Sequence, residues 1–164
     1  MTPPRPAGAQ TTGIETMKPE VDFVLQSMMM KLLGEVVPAI GDAYVRSNVE
    51  VMAGILAAAA EEFDRAAHVR AEENAAIRRI FRDGAASLPD AELRARLETA
   101  AGEAEPSLRV SDLNAANDRL RALLIELHAF VETRAEKWAQ RIDRAIWDEL
   151  RASANRRAIS FSPL

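Results

Sequence analysis

Residues 41–82 read GDAYVRSNVEVMAGILAAAAEEFDRAAHVRAEENAAIRRIFR, a stretch with no proline and, past its first residue, only Gly54 as a weak point. Wound at about 100° per residue, Tyr44, Asn48, Val51, Met52, Ile55, Ala59, Phe63, Ala66, Ile77 and Phe81 gather on one broad arc. Asp42, Arg46, Glu50, Asp64, His68, Glu72, Arg79 and Arg82 fall on the opposite side. The spacing predicts one long helix from about Gly41 to Arg82. Its apolar arc covers about half the circumference, wider than a two-helix seam needs, so at least two neighbours are expected.

Downstream, Ser111 to Ala154 repeats the pattern. Leu113, Ala116, Leu120, Leu124, Leu127, Val131, Trp138, Ile142 and Ala145 make a core stripe flanked by Leu123 and Phe130, with Ser111-Asp112 as its capped start. Two helices of matched length, each roughly 60 Å long, predict an antiparallel hairpin. With Asp83 level with Asp112, Trp138 falls opposite Ala57 and Arg134 opposite Glu61 or Glu62. Glu62 and Arg134 both interrupt apolar stripes, and their pairing would fix the register. Arg70 and Glu73, also inside the arc, call for similar partners.

The connector from Asp83 to Val110 holds Gly84, Pro89, Gly102 and Pro106. Between them Leu93 and Leu97 share a face behind the capping pattern Ser87-Leu88-Pro89-Asp90, which predicts a short helix over 90–101. Upstream, Glu20 to Val37 carries Val21, Val24, Leu25, Met28, Leu32 and Val36 at helical spacing, ending near Pro38. Gln26, Lys31 and Glu35 break its apolar run, which argues against a membrane span. Met28, Met29 and Met30 admit two roles, gap-filling in a core or an adaptable contact surface. Ile125 and Trp147 lie outside the stripe of the last helix, so together with the three methionines they form the candidate interface. Residues 1–18, rich in Pro, Gly and Thr, read as a disordered leader, 19–154 as a single helical-bundle domain, and 155–164 as a flexible tail.

Composition narrows the function. The 164 residues contain no cysteine, which removes disulfides, thiolate metal sites and cysteine nucleophiles and fits a reducing, cytoplasmic setting. A net charge of -4 disfavours a general nucleic-acid binder. The excess of arginine over lysine reflects GC-rich, bacterial-type coding and carries no mechanism.

Chemistry-bearing motifs are absent. There is no phosphate-binding glycine loop, nucleophile elbow or zinc-binding histidine pair. The Glu-x-x-His pairs of di-iron bundles are missing too, because Arg65 precedes His68 by three and Ile125 precedes His128 by three. Glu61, Asp64, His68 and Glu72 share a face, but with Arg65 among them they read as a solvated charge array. No catalytic residue, cofactor or metal is therefore expected.

The fold expected is all-α, a long antiparallel hairpin completed to a helical bundle by the N-terminal and connector helices. The leading functional expectation is a non-catalytic protein–protein interaction or assembly module, adaptor or chaperone-like and homodimeric. One alternative is a small-molecule-binding bundle with Met28, Phe63, Phe130 and Trp138 around an internal apolar pocket. Another is a surface-active protein of lipid or granule surfaces.

Overall fold

The long apolar period upstream forms a single helix, α3, over Ala43–Ala85. Its start is fixed by Asp42, whose carboxylate accepts from the Val45 N–H at 3.0 Å. The computed structural model describes residues 20–160. After α3 come α4 (Ala91–Gly102), α5 (Val110–Val131) and α6 (Lys137–Arg157). α4 is the expected connector helix, capped by Asp90 on the Leu93 N–H at 2.9 Å.

Side-chain ties give the direction of each helix. Arg82 donates to the Ala101 carbonyl at 3.4 Å and Arg78 pairs with Glu105, so α4 runs back along α3. Arg70 donates to Asn114 at 2.6 Å and Asn117 to Asn74 at 2.8 Å, so position rises together on α3 and α5 and the two are parallel. Ser153 donates to Glu73 at 2.6 Å, while a Cβ placed on Gly84 would lie 3.2 Å from Ile142 Cδ1, so α6 runs back again. The C-terminal half of α3 thus joins α4, α5 and α6 in an up-down-up-down four-helix bundle. α3 and α5 each touch every other member, and α4 and α6 sit on opposite flanks.

This bundle corrects the hairpin. The expected rod over 111–154 is two helices, broken at residues 132–136, and its first half runs with α3 rather than against it. Trp138 consequently packs beside Phe130, with ring centroids 6.5 Å apart, and is not set against Ala57. The break hides from a helical wheel because Val131 and Trp138 are seven residues apart, two turns, so the stripe keeps its phase across the bend. No glycine or proline marks it, and among the described residues no non-glycine residue has positive φ. Local contacts hold it instead. Glu136 is extended (φ -68°, ψ 142°), the Gln140 amide donates to the Ala135 carbonyl at 3.0 Å, and the Arg134 guanidinium lies 4.0 Å over the Phe130 ring.

Ile77, Phe81, Leu97, Leu120, Leu124, Leu127, Ile142 and Ile146 make the core of the bundle. Each such side chain contributes about 1.5–3 kcal/mol on burial. The close approach of α3 and α6 at Gly84 brings Ile142 into this cluster.

The N-terminal half of α3 extends beyond the bundle. Against it folds α1 (Val21–Lys31), continued through one π-helical stretch at Leu32–Val36 into the short α2 (Val37–Ala39). Pro38 cannot donate to the carbonyl four residues back, at Gly34, and its ring crowds that position. The wider π turn accommodates it, so the helix passes Pro38 and ends at Ala39. Leu25, Met29 and Leu32 recur at steps of four and three and are half-buried, and Ala53 and Ala60 are buried beneath this helix. Alanine there permits close packing, but none of the residues of α1 is fully buried.

The leader expected at residues 1–18 lies outside the described residues. The expected flexible tail begins with ordered chain, since α6 continues to Arg157 and the Ser160 N–H donates to Glu61 at 3.0 Å. Among the described residues, no helix is long and apolar enough to cross a membrane.

Candidate interaction surface

The face of α3 that enters the bundle core carries Ala66, Val69, Ile77 and Phe81, all buried. Followed toward the N-terminus at the same helical phase, that face continues as Phe63, Ala59, Ile55, Met52, Asn48 and Tyr44. Among the described residues, nothing covers this upstream half. Tyr44 is 77% exposed, Ile55 62% and Met52 57%, because α5 begins level with about residue 66 of α3 and the described residues after α6 reach no further along it than Glu61. α1 occupies a different face, the one marked by Ala53 and Ala60. The two-helix arm therefore carries an apolar stripe that the sequence pattern assigns to a core and that the described residues leave open.

α1 adds its own open apolar residues. Phe23 is 65% and Met30 63% exposed, and Met28 is also exposed, whereas Met29 is half-buried in the seam of the arm. Shallow grooves lie between Phe23, Ser27, Met30 and Lys31, where small residues separate large ones. This is the relief that knobs-into-holes packing fills.

Ile125 and Trp147 are far from the arm, on the bundle. Both are exposed, and they flank His128, which lies three residues beyond Ile125 on α5 and meets the Trp147 ring edge-on at 5.4 Å. His128 Nε2 is 3.0 Å from Asp143 Oδ1, which ties α5 to α6 beneath the patch. The structure thus places the five candidate interface residues on two separate surfaces, the methionines on the arm and the Ile125–Trp147 pair on the bundle.

Glu62 and Arg134 are not brought together. Glu62 pairs with Arg70 at 2.9 Å on its own helix, and Arg134 stands over Phe130 at the break between α5 and α6. Register is carried instead by a buried polar cluster that the sequence marks only by Arg70 and Glu73 inside the apolar arc. Glu73 is fully buried, as is Asn74, and Asn117 and Ser153 are nearly so. Its carboxylate accepts from Ser153 at 2.6 Å, from Arg157 Nε at 2.7 Å and from Arg157 Nη2 at 2.5 Å, with Arg121 at 3.6 Å. Burial pushes this carboxyl up, but the hydrogen bonds from Arg157 and Ser153 and the charges of Arg157 and Arg121 outweigh it and hold the pKa at about 2. Ser153 has no base to activate it, since the group it donates to is a carboxylate already saturated by arginine. The cluster is a lock joining α3, α5 and α6.

Two other sequence candidates resolve in the same way. Glu61, on the acidic face that also holds Asp64, His68 and Glu72, accepts from the Ser160 hydroxyl at 2.7 Å and pairs with Arg65. Hydrogen bonds from Ser160 hold its carboxyl below the usual range. Met28 and Phe63 are exposed on the arm, while Phe130 and Trp138 pack together beside the bundle core, so these four do not line a common pocket. Open grooves are present instead, one of them between α4 and α5 over Ala95, Thr99, Leu120 and Leu123.

Compared with known proteins, the chain matches no family model, no curated protein and no solved structure.

Proposed function

We propose that this chain is a non-catalytic helical interaction or assembly module, adaptor or chaperone-like, which acts as a homodimer. One observation carries the reading. The core-type face of α3 runs on for some twenty residues past the point where α5 and α6 cover it, roughly 30 Å of apolar stripe open among the described residues. Contiguous exposed apolar surface of this extent is characteristic of interaction sites. The saturated state of the Glu73 cluster and the scattered His, Ser and carboxylate groups favour a structural role over chemistry. The absence of cysteine fits a cytoplasmic setting.

Light scattering over the micromolar range tests this reading. The expected mass is twice the 18.0 kDa of one chain. A single-chain mass throughout, with no binding of an apolar-surface dye, would falsify it.

A further inference from the structure

We infer that the partner on the arm is a second copy of this chain, laid antiparallel so that the two α3 stripes pack on each other about a twofold axis between Ala53 and Gly54. This rests on the reading of the chain as a homodimeric module and specifies which surface makes the dimer and in which orientation.

Three observations lead there. The stripe has the same pattern from either end. About a point between Ala53 and Gly54, Tyr44 is the counterpart of Phe63, Asn48 of Ala59 and Met52 of Ile55. Aromatics sit at both ends, aliphatics in the middle, and a polar residue meets a small one between. An isologous contact requires such self-complementarity.

The second observation is steric. α5 covers the continuation of this same face from about residue 66 onward, so each bundle projects on the side of the arm that carries the stripe. Two arms docked in parallel and level would drive their bundles into one another. Docked antiparallel, each bundle lies beyond the tip of the other arm. The tip of the partner's arm then comes level with the start of α5 and the end of α6, where Leu108, Val110 and Ile159 are exposed around the base of the stripe.

The third is size. Exposed Tyr44, Met52, Ile55 and Phe63 offer on the order of 600 Å² of surface on the stripe itself, most of the roughly 800 Å² per partner of a standard stable interface. Charge is sparse along the α3 stretch, where Arg46 and Glu50 are the only ionised side chains between Asp42 and Glu61. Desolvation there is correspondingly cheap.

Thiol cross-linking tests the orientation, because the natural chain has no cysteine. Full-length Asn48→Cys and Ala59→Cys are treated with a short bismaleimide, separately and as an equimolar mixture. Antiparallel pairing predicts a covalent dimer in the mixture and little in either variant alone, since like positions stand eleven residues apart, about 16 Å. Cross-linking of each single variant to itself would overturn the orientation.

In parallel, Met52→Glu/Ile55→Glu is compared with Trp147→Glu by light scattering, with helix content checked by circular dichroism. The arm variant is expected to weaken association at least about a hundredfold, by burying carboxylates at the centre of the contact. Trp147→Glu is expected to leave the dimer intact. A wild-type dimer that survives the arm variant and gives no mixed cross-link refutes this inference and leaves the interaction-module reading standing. A wild-type monomer refutes both.

Discussion

Glu73 shows how a single side chain can secure a fold without doing chemistry. A carboxylate at zero exposure is tolerable only when every lone pair is occupied, and here Ser153, Arg157 and Asn117 occupy them with Arg121 close by. Because its folded pKa is depressed to about 2 from 4.5, its stabilisation is complete above the unfolded value and is lost as pH falls from about 4.5 through about 2. The shift corresponds to about 3 kcal/mol at neutral pH. Glu73→Gln is therefore expected to lower stability at pH 7 by roughly 2–4 kcal/mol and to flatten the acid limb between pH 4.5 and 2, as read from urea unfolding at several pH values. An acid limb as steep as that of the wild type would assign the acid sensitivity to other carboxylates. Sequence legibility at this scale was partial. Arg70 and Glu73 stand out as charges within an apolar arc, which is a usable signal for buried pairing. Ser153 is a small polar residue in the last turn of the predicted helix and Arg157 lies in the stretch read as tail, so their role follows only from the antiparallel return of α6.

At the scale of the element, α3 and α4 were legible to within three residues at each end, because each has an uninterrupted period. The division between α5 and α6 was not. A seven-residue step from Val131 to Trp138 preserves helical phase whether or not the chain bends, and Glu132 to Glu136 contains no residue that forbids a helix. The bend is held by short-range contacts, Arg134 over Phe130, Phe130 beside Trp138 and Gln140 on the Ala135 carbonyl, none of which leaves a mark in the helical period. A wheel that carries the helix through the break also reverses α5 and sets Arg134 against Glu62 and Trp138 against Ala57, none of which the bundle contains. Lys137→Pro discriminates the two architectures. Lys137 is the first residue of α6, it is exposed, and Glu136 before it already has the extended backbone that a following proline demands. In the broken arrangement the substitution is expected to be neutral or stabilising by up to about 1 kcal/mol. Within a continuous helix it would cost about 3 kcal/mol or more. Thermal unfolding monitored by circular dichroism separates these outcomes.

For the whole molecule, the bundle and the arm differ in what holds them. The bundle has a contiguous core of buried leucines, isoleucines and Phe81 and a saturated polar lock, whereas α1 has no fully buried residue and α3 before Ala60 buries only Ala53. An arm of two helices with so little burial is expected to be marginal on its own, since helices draw most of their stability from packing. If the chain dimerises as proposed, order in the arm is linked to association, and mass action makes that linkage measurable. Amides of α1 and of α3 from Ala43 to Ile55 are expected to exchange fast in dilute protein and to gain protection as concentration rises through the dimer dissociation constant. Amides around Phe81, Leu124 and Leu127 are expected to exchange slowly at both concentrations. Hydrogen exchange read by mass spectrometry at two concentrations a hundredfold apart resolves this peptide by peptide. Concentration-independent protection throughout the arm would mean that α1 and α3 are stable as a pair, and the exposed stripe would then bind its partner as a preformed surface rather than fold upon it.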